Sequence, residues 1–182
     1  TTDSSLQAAI KTKIKYLREN MGRGVQAVVP HFAADYEGII SVENGYSIGD
    51  DNLSAAEACA WVAGATAGAS YTESLTYKAV DGATGLNPAL THEEYVAAIN
   101  AGHFAFSVSE ENKIIAEYDI NSLTSFKQPK DETYHKNRVI RVLDTFQESV
   151  QLNFPPNKYA NSAVGWDIME GVGKSILKQF ED

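Results

Sequence analysis

A run of small residues most constrains how this chain can fold. Residues 55–69 are mostly alanine and glycine, with Trp61 as the one large side chain. Ser54 and Glu57 form the Ser-x-x-Glu pattern that caps the start of a helix, so the run predicts a helix and not a linker. Gly64 and Gly68 each cost such a helix about 1 kcal/mol relative to alanine. We therefore expect another backbone to pack closely here, either within the chain or from a neighbouring subunit.

The remaining hydrophobic periodicity predicts helices and strands in alternation. Asp3 or Ser4 caps a first helix that ends at Gly22, and Thr91 with Glu94 caps another. Apolar runs predict strands at residues 25–29, 38–42 and 75–80, with a hairpin at 104–120. Beyond the polar stretch 122–132, we expect a helix of about five turns and a last helix from Ser162. The residues of this last helix predicted to face inward are Ile168, Met169, Val172, Ile176 and Phe180.

The charge and composition argue against two classes of partner. The net charge is -9, whereas a nucleic-acid-binding surface needs to be basic. No apolar run reaches the roughly 20 residues of a membrane-spanning helix, and the first residues show no signal peptide. Residues 1–23 carry a net charge of +3, residues 24–122 carry -12, and residues 123–182 are neutral. The acidic surface is either simply solvated, or it meets basic faces on neighbouring subunits.

Candidate catalytic and metal-binding residues are few. The four histidines show no metal-ligand spacing and Cys59 is the one cysteine, so we predict no metal and no other cofactor. The cluster of His31, Asp35 and Glu37 could hold a cation or act as acid and base. A solvated loop explains that cluster more simply.

Lys136, Arg138 and Arg141 form a basic cluster at the start of a predicted helix. Arg138 and Arg141 are three residues apart and therefore share one face of that helix. A phosphate, an acidic protein surface or solvent alone could face this cluster. Because the middle of the chain is acidic, we favour contact with acidic residues of a neighbouring subunit, such as Asp35 and Glu37.

Several segments, taken in order and with their spacing, resemble the tail sheath proteins of contractile phages and phage-like bacteriocins. The resemblance is greatest to sheaths of phages and prophage-like particles from Gram-positive bacteria. The segments are Asp35–Gly38, the helix around Trp61, Leu75–Lys78, Glu94–Ala98, Gly102–Phe104, Asp119–Phe126 and Lys136–Phe146.

The resemblance implies an α/β to α+β fold. Residues 1–127 would form a core domain with a mixed β-sheet flanked by helices, subtilisin-like in shape but without a catalytic triad. Residues 128–182 would begin a small α+β C-terminal domain. The resemblance also implies a structural role without enzymatic activity. Sheath proteins stack as hexameric rings around a tail tube, and their contraction drives the tube through the host envelope.

The same resemblance implies the partners and the location of the protein. The partners would be other sheath subunits, the tail tube, the baseplate and the tail terminator, with no nucleic acid and no membrane. The location would be the virion tail, after assembly in the bacterial cytoplasm. Sheath subunits exchange strands through N- and C-terminal arms, which this chain lacks, so we expect a core fragment that is monomeric or weakly associating. The alternatives are a small hydrolase or binding module that uses the loop of His31, Asp35 and Glu37, or a peptide- or carbohydrate-binding module with an exposed aromatic cluster, for which Trp61, Trp166 and nine tyrosines are available.

Overall fold

Five α-helices and eight short β-strands make up residues 1–181, the part of the chain that the computed structural model describes. A 3₁₀ turn at Glu132–His135 directly precedes α4. The helices are α1 (Ser4–Glu19), α2 (Ala55–Gly68), α3 (His92–Asn100), α4 (Asn137–Asn153) and α5 (Ala163–Lys178). The strands are β1 (Ala27–Pro30), β2 (Ile39–Val42), β3 (Gly45–Ile48), β4 (Asp51–Asn52), β5 (Ala83–Asn87), β6 (His103–Phe104), β7 (Phe106–Val108) and β8 (Ile114–Ala116).

A parallel sheet with helices on both faces forms the centre of the fold. Its strand order is β1–β2–β6. Neighbouring residues of a strand point to opposite faces, so Ile39 packs with Ile14 of α1 while Ile40 packs with Val62 of α2. A parallel sheet is normally covered on both faces in this way. The predicted mixed α/β fold is therefore confirmed.

Asn44 connects this sheet to the rest of the core. Its side chain is fully buried, and its amide nitrogen donates to the carbonyl of Phe106 at 2.9 Å. Its amide oxygen accepts from the backbone N–H of Phe106 at 2.8 Å. Gly45 then begins β3, the central strand of an antiparallel sheet in the order β4–β3–β5, and β7 pairs with β8 in a third sheet. The strands thus form three small sheets, where the sequence predicted one mixed sheet.

One predicted strand is only partly formed. Residues 77–80 pair antiparallel with β8, through the bridge Ala79–Ile115 and backbone hydrogen bonds such as that from the N–H of Val80 to the carbonyl of Ile114 at 2.8 Å. They form no continuous strand with Leu75, because the backbone N–H of Leu75 donates to the carboxylate of Asp119 at 3.0 Å and that of Lys78 donates to the carbonyl of Leu75. A turn results, in which Tyr77 adopts a positive φ of 64°. The continuous strand of this region is β5, which pairs with β3. The predicted helix caps and the predicted β7–β8 hairpin are confirmed.

The small-residue helix α2 is packed on one side only. Its buried residues include Ala58 and Val62, and Trp61 lies edge-to-face against Phe106 with the ring centroids 5.5 Å apart. Its two glycines lie on the open side of the helix, since a Cβ added at Gly64 or Gly68 would meet no atom within 4 Å. Of the two alternatives that the sequence left open for these glycines, close packing within the chain is therefore excluded. Close packing there requires another molecule.

We expect Gly64→Ala to raise the free energy of unfolding of this chain by about 0.5–1 kcal/mol, because alanine favours the helix and the space for its methyl group is open. Urea unfolding measures this gain. If the glycine face of α2 is also a subunit contact, the same substitution will weaken assembly while stabilising the fold. A loss of stability would contradict the open surface described above.

α5 exposes a large apolar surface. Val164 and Ile168 lie on one side of the buried Ile176, and Trp166 and Leu177 lie on the other. Trp166 is 60% exposed. The prediction that Ile168 and Met169 face inward is wrong, because the large apolar side chains of α5 are covered only towards its C-terminal end, where Ile176 is buried and Phe180 lies edge-to-face against Phe146 of α4.

Candidate functional site

The start of α4 is fixed to the core by hydrogen bonds of Asn137. This residue is fully buried, and its backbone N–H donates to the carbonyl of Asp119 at 3.0 Å. Its side-chain amide donates to the Asp119 carboxylate at 3.0 Å and to the carbonyl of Ile120 at 2.8 Å. Gln26 donates in turn to the Asn137 side-chain oxygen at 3.2 Å. The first turn of α4 is thus held by polar contacts with two separate segments.

One turn further along α4, Arg141 forms a buried ion pair with Asp119. The distance from its Nη2 to the Asp119 carboxylate is 2.7 Å, and the same nitrogen donates to the carbonyl of Glu73 at 2.7 Å. Arg141 is 8% exposed and Asp119 is 4% exposed. Both charged groups are shielded from water, so each needs the opposite charge of the other to offset the cost of its burial. This pair positions α4 against the turn at residues 74–78.

Two further ion pairs hold α4 and the segment before it. Arg18 of α1 makes a bidentate pair with Asp144 of α4, at 2.8 Å and 2.7 Å. Lys130 pairs with Glu37, which is buried beside β2. Bidentate arginine–carboxylate pairs fix orientation as well as distance. We call these contacts, together with the network of Asp119, Asn137 and Arg141, the α4 joint.

Asp35 has a local structural role. Its carboxylate accepts hydrogen bonds from the backbone N–H groups of Thr124, at 2.9 Å, and Ser125, at 2.8 Å. Burial opposes ionisation, but these bonds outweigh it and lower the pKa of Asp35 to about 2. Because the folded-state pKa is depressed, this contribution to stability is present above the usual pKa of 3.8 and is lost as pH falls towards about 2.

A groove of about 580 Å³ lies beside the α4 joint. Tyr118 and Leu143 expose 48% and 40% of their surface at its sides, and Lys136 and Arg138 are exposed beside them. Within residues 1–181, neither of these two basic side chains forms an ion pair. We call this surface the α4 groove. It is lined by Ser74, Thr76, Tyr118, Asp119, Ile120, Lys136, Arg138, Val139, Val142 and Leu143.

His31 lies in a cluster at the carboxyl ends of the parallel strands, but its neighbours are not the predicted ones. Its Nδ1 is 3.6 Å from a carboxylate oxygen of Glu43, and Nδ1 of His103 lies 3.6 Å from the same oxygen. The hydroxyl of Ser41 is 2.7 Å from Nδ1 of His103. A catalytic triad uses both ring nitrogens of histidine, one for the hydroxyl and one for the acid. Here both partners face one nitrogen and Ser41 is fully buried, so no triad is formed.

Histidine burial makes the stability of the fold depend on pH. Burial is the main cause that lowers the pKa of His103 and of His135 below the usual 6.5. The folded state then binds fewer protons than the unfolded state, so stability falls as pH falls below about 6.5. We expect a lower urea midpoint at about pH 5.5 than at about pH 7.5. A variant with His103→Gln and His135→Gln should lose most of this difference, and an unchanged difference would contradict the assignment.

Two kinds of site are not found in the described part of the chain. No group of three or more histidine, cysteine, aspartate or glutamate side chains in residues 1–181 is arranged to hold a metal ion. No helix in the same range is long and apolar enough to cross a membrane.

Comparison with known proteins assigns the fold to a family. The model of the phage tail sheath protein central domain matches residues 1–122, which is more than half of the chain. The chain belongs to the phage tail sheath protein family. All of this chain matches part of the sheath tail protein of Desulfitobacterium hafniense, with 41% identity and a TM-score of 0.93. The sheath tail protein of Listeria innocua matches with 29% identity and a TM-score of 0.90.

A curated relative of this sheath-family chain comes from Bacillus subtilis (strain 168). It is the phage-like element PBSX protein XkdK, which is 40% identical over 141 residues. That match covers 76% of this chain and 30% of XkdK. Each solved sheath protein is likewise longer, since the chain covers 44% of either one. The chain therefore spans less than half of the sheath proteins it resembles.

The five residues proposed as sheath subunit contacts lie in different environments in the structure. Arg141 and Glu37 are buried with partners in the same chain, and the Asp35 carboxylate caps a neighbouring loop. The charges of Arg141 and Glu37 are thus already compensated within the chain. Lys136 and Arg138 are exposed. Of the two tryptophans considered for an exposed aromatic cluster, Trp61 packs against Phe106 and Trp166 is exposed.

Sequence reasoning missed the residues that organise the α4 joint. Asp119 and Asn137 sit in segments that resemble sheath proteins, but no local pattern indicated that their side chains would be buried together. The one available signal was compositional: Asp119 directly precedes the apolar Ile120, and Asn137 comes shortly before the apolar pair Val139 and Ile140. Buried polar residues are usually hydrogen-bonded, so such positions are candidates for a network.

Proposed function

We propose that this chain is the core of a contractile tail sheath subunit, which assembles with other copies around a tail tube. The supporting observation is the match to a solved sheath tail protein along the whole chain, with 41% identity. In this proposal residues 1–127 are the core domain and residues 128–182 begin the C-terminal domain. Its partners are other sheath subunits, the tube, the baseplate and the tail terminator, and its location is the virion tail.

The α4 joint supports a mechanical role. A contracting sheath changes the contacts between subunits, while each subunit keeps its fold. The joint holds α4 to the core through three ion pairs: Arg141–Asp119, Arg18–Asp144 and Lys130–Glu37. A core held in this way can transmit force to its neighbours as one rigid body. Exposed charges such as Lys136 and Arg138 can exchange partners as subunits slide.

Electron microscopy with sedimentation tests this function. The samples are the 182-residue chain and a polypeptide of the relatives' full length that contains it. We expect tubes or stacked rings from the long polypeptide and a monomer, or weak association, from the short chain. Monomers from both, at every concentration examined, would overturn the assignment to a sheath.

A further inference from the structure

We propose that the tip of the β7–β8 hairpin of one copy docks into the α4 groove of a second copy. The hairpin tip comprises residues 108–112. This contact rests on the proposed function, because it names the surface through which the cores of neighbouring subunits associate.

The two surfaces are complementary in charge and in polarity. The groove presents Lys136 and Arg138 beside the exposed apolar side chains of Tyr118 and Leu143. The tip presents an exposed carboxylate, Glu110, which forms no ion pair within residues 1–181. Beside that carboxylate, Val108 is 51% exposed. An apolar side chain next to a carboxylate thus meets apolar walls next to two cations.

The shape of the hairpin suits insertion. The backbone N–H of Ser109 donates to the carbonyl of Lys113 at 2.9 Å, and Asn112 closes the turn with a positive φ of 58°. Lys113 neutralises Glu111 at 2.7 Å, which leaves Glu110 as the uncompensated charge of the tip. A closed hairpin turn is already ordered, so less conformational entropy is lost when it docks.

The positions of tip and groove explain why the contact would form between copies. The tip lies before β8 and Tyr118 lies two residues after β8, so an extended chain separates Asn112 from Tyr118 by about 20 Å. A contact between different patches on two identical chains is heterologous, and it continues head to tail from copy to copy. Such a contact builds rings or helices, which is the symmetry that a sheath requires.

Disulfide trapping tests the contact, with chains that each carry one introduced cysteine. Val108→Cys chains carrying an affinity tag are mixed with untagged Leu143→Cys chains under oxidising conditions. Cys59 remains in place, because burial raises the pKa of its thiol to about 11 and keeps it unreactive. The matched control is Val96→Cys, which is 47% exposed and follows Glu93 and Glu94 on α3. We expect about tenfold more tagged–untagged dimer from the Val108 mixture than from the Val96 mixture.

Charge reversal provides the second measurement. Arg138→Glu in the groove chain should reduce the trapped dimer about tenfold, and Glu110→Arg in the tip chain should restore most of it. Equal trapping of the Val96 control, a predominance of dimers between identical chains, or no effect of charge reversal would overturn the proposal. If the long polypeptide still forms tubes in that case, the sheath function stands and its contact lies elsewhere. If it forms none, both fail.

Discussion

Arg141→Ala is expected to lower the free energy of unfolding by about 3–5 kcal/mol, because it leaves the buried Asp119 carboxylate without its counter-charge. The hydrogen bonds to Asp119 from Leu75 and Asn137 remain, but neither donor carries a charge. Urea unfolding at neutral pH measures the loss. Native domains are typically stable by only about 5–15 kcal/mol, so this loss would remove a large fraction of the total stability.

Arg138→Ala is the matched control for that experiment. Arg138 lies one turn away on the same helix and is exposed, so its removal should change stability by less than about 0.5 kcal/mol. A loss below about 1 kcal/mol for Arg141→Ala would show that water reaches Asp119. The α4 joint would then be a surface contact and could not hold α4 rigidly.

Gly45→Ala is expected to cost about 3 kcal/mol or more, because the new methyl group has no room. A Cβ built at Gly45 would lie 2.0 Å from the backbone carbonyl oxygen of Leu53. The oxygen is a backbone atom and the position of the Cβ is fixed by the backbone of β3, so neither can rotate away. Thermal or urea unfolding of the variant measures the loss.

Gly85→Ala is the control in the same sheet. Gly85 pairs with Ser47, and a Cβ built there meets only the Ser47 side chain at 3.8 Å, an ordinary contact. This variant should be neutral or stabilised by about 0.5 kcal/mol. Similar losses at both positions would mean that the sheet tolerates no alanine, and the close approach at Gly45 would not be the cause.

The elements that sequence predicted well are those whose chemistry is local. Ser54 with Glu57 and Thr91 with Glu94 cap their helices through bonds three residues apart, so the pattern alone was sufficient. The error at residues 75–80 has a non-local cause. Leu75 looks like part of a strand, but its N–H is bound by Asp119, which lies 44 positions away. Strand pairing depends on such distant partners more than on alternation.

The candidate site was even harder to predict from the sequence alone. Lys136, Arg138 and Arg141 were recognised as a cluster, but their roles differ because one side chain turns inward to Asp119. Arg18 and Asp144 are separated by 126 positions, and no spacing rule links them. Burial decides which charge is structural and which is free to bind, and burial is a property of the folded chain.

The exposed indole of Trp166 gives the chain a built-in optical probe. Its nitrogen donates to the side-chain oxygen of Asn161 at 3.2 Å, and most of the residue's surface is exposed to water. Water-exposed tryptophan emits at longer wavelength than buried tryptophan and is quenched by iodide. Trp61, the other tryptophan, is partly buried against Phe106 and serves as an internal reference. Binding of any polypeptide that covers α5 will therefore shift the emission of Trp166 to shorter wavelength, and no added label is needed to detect it.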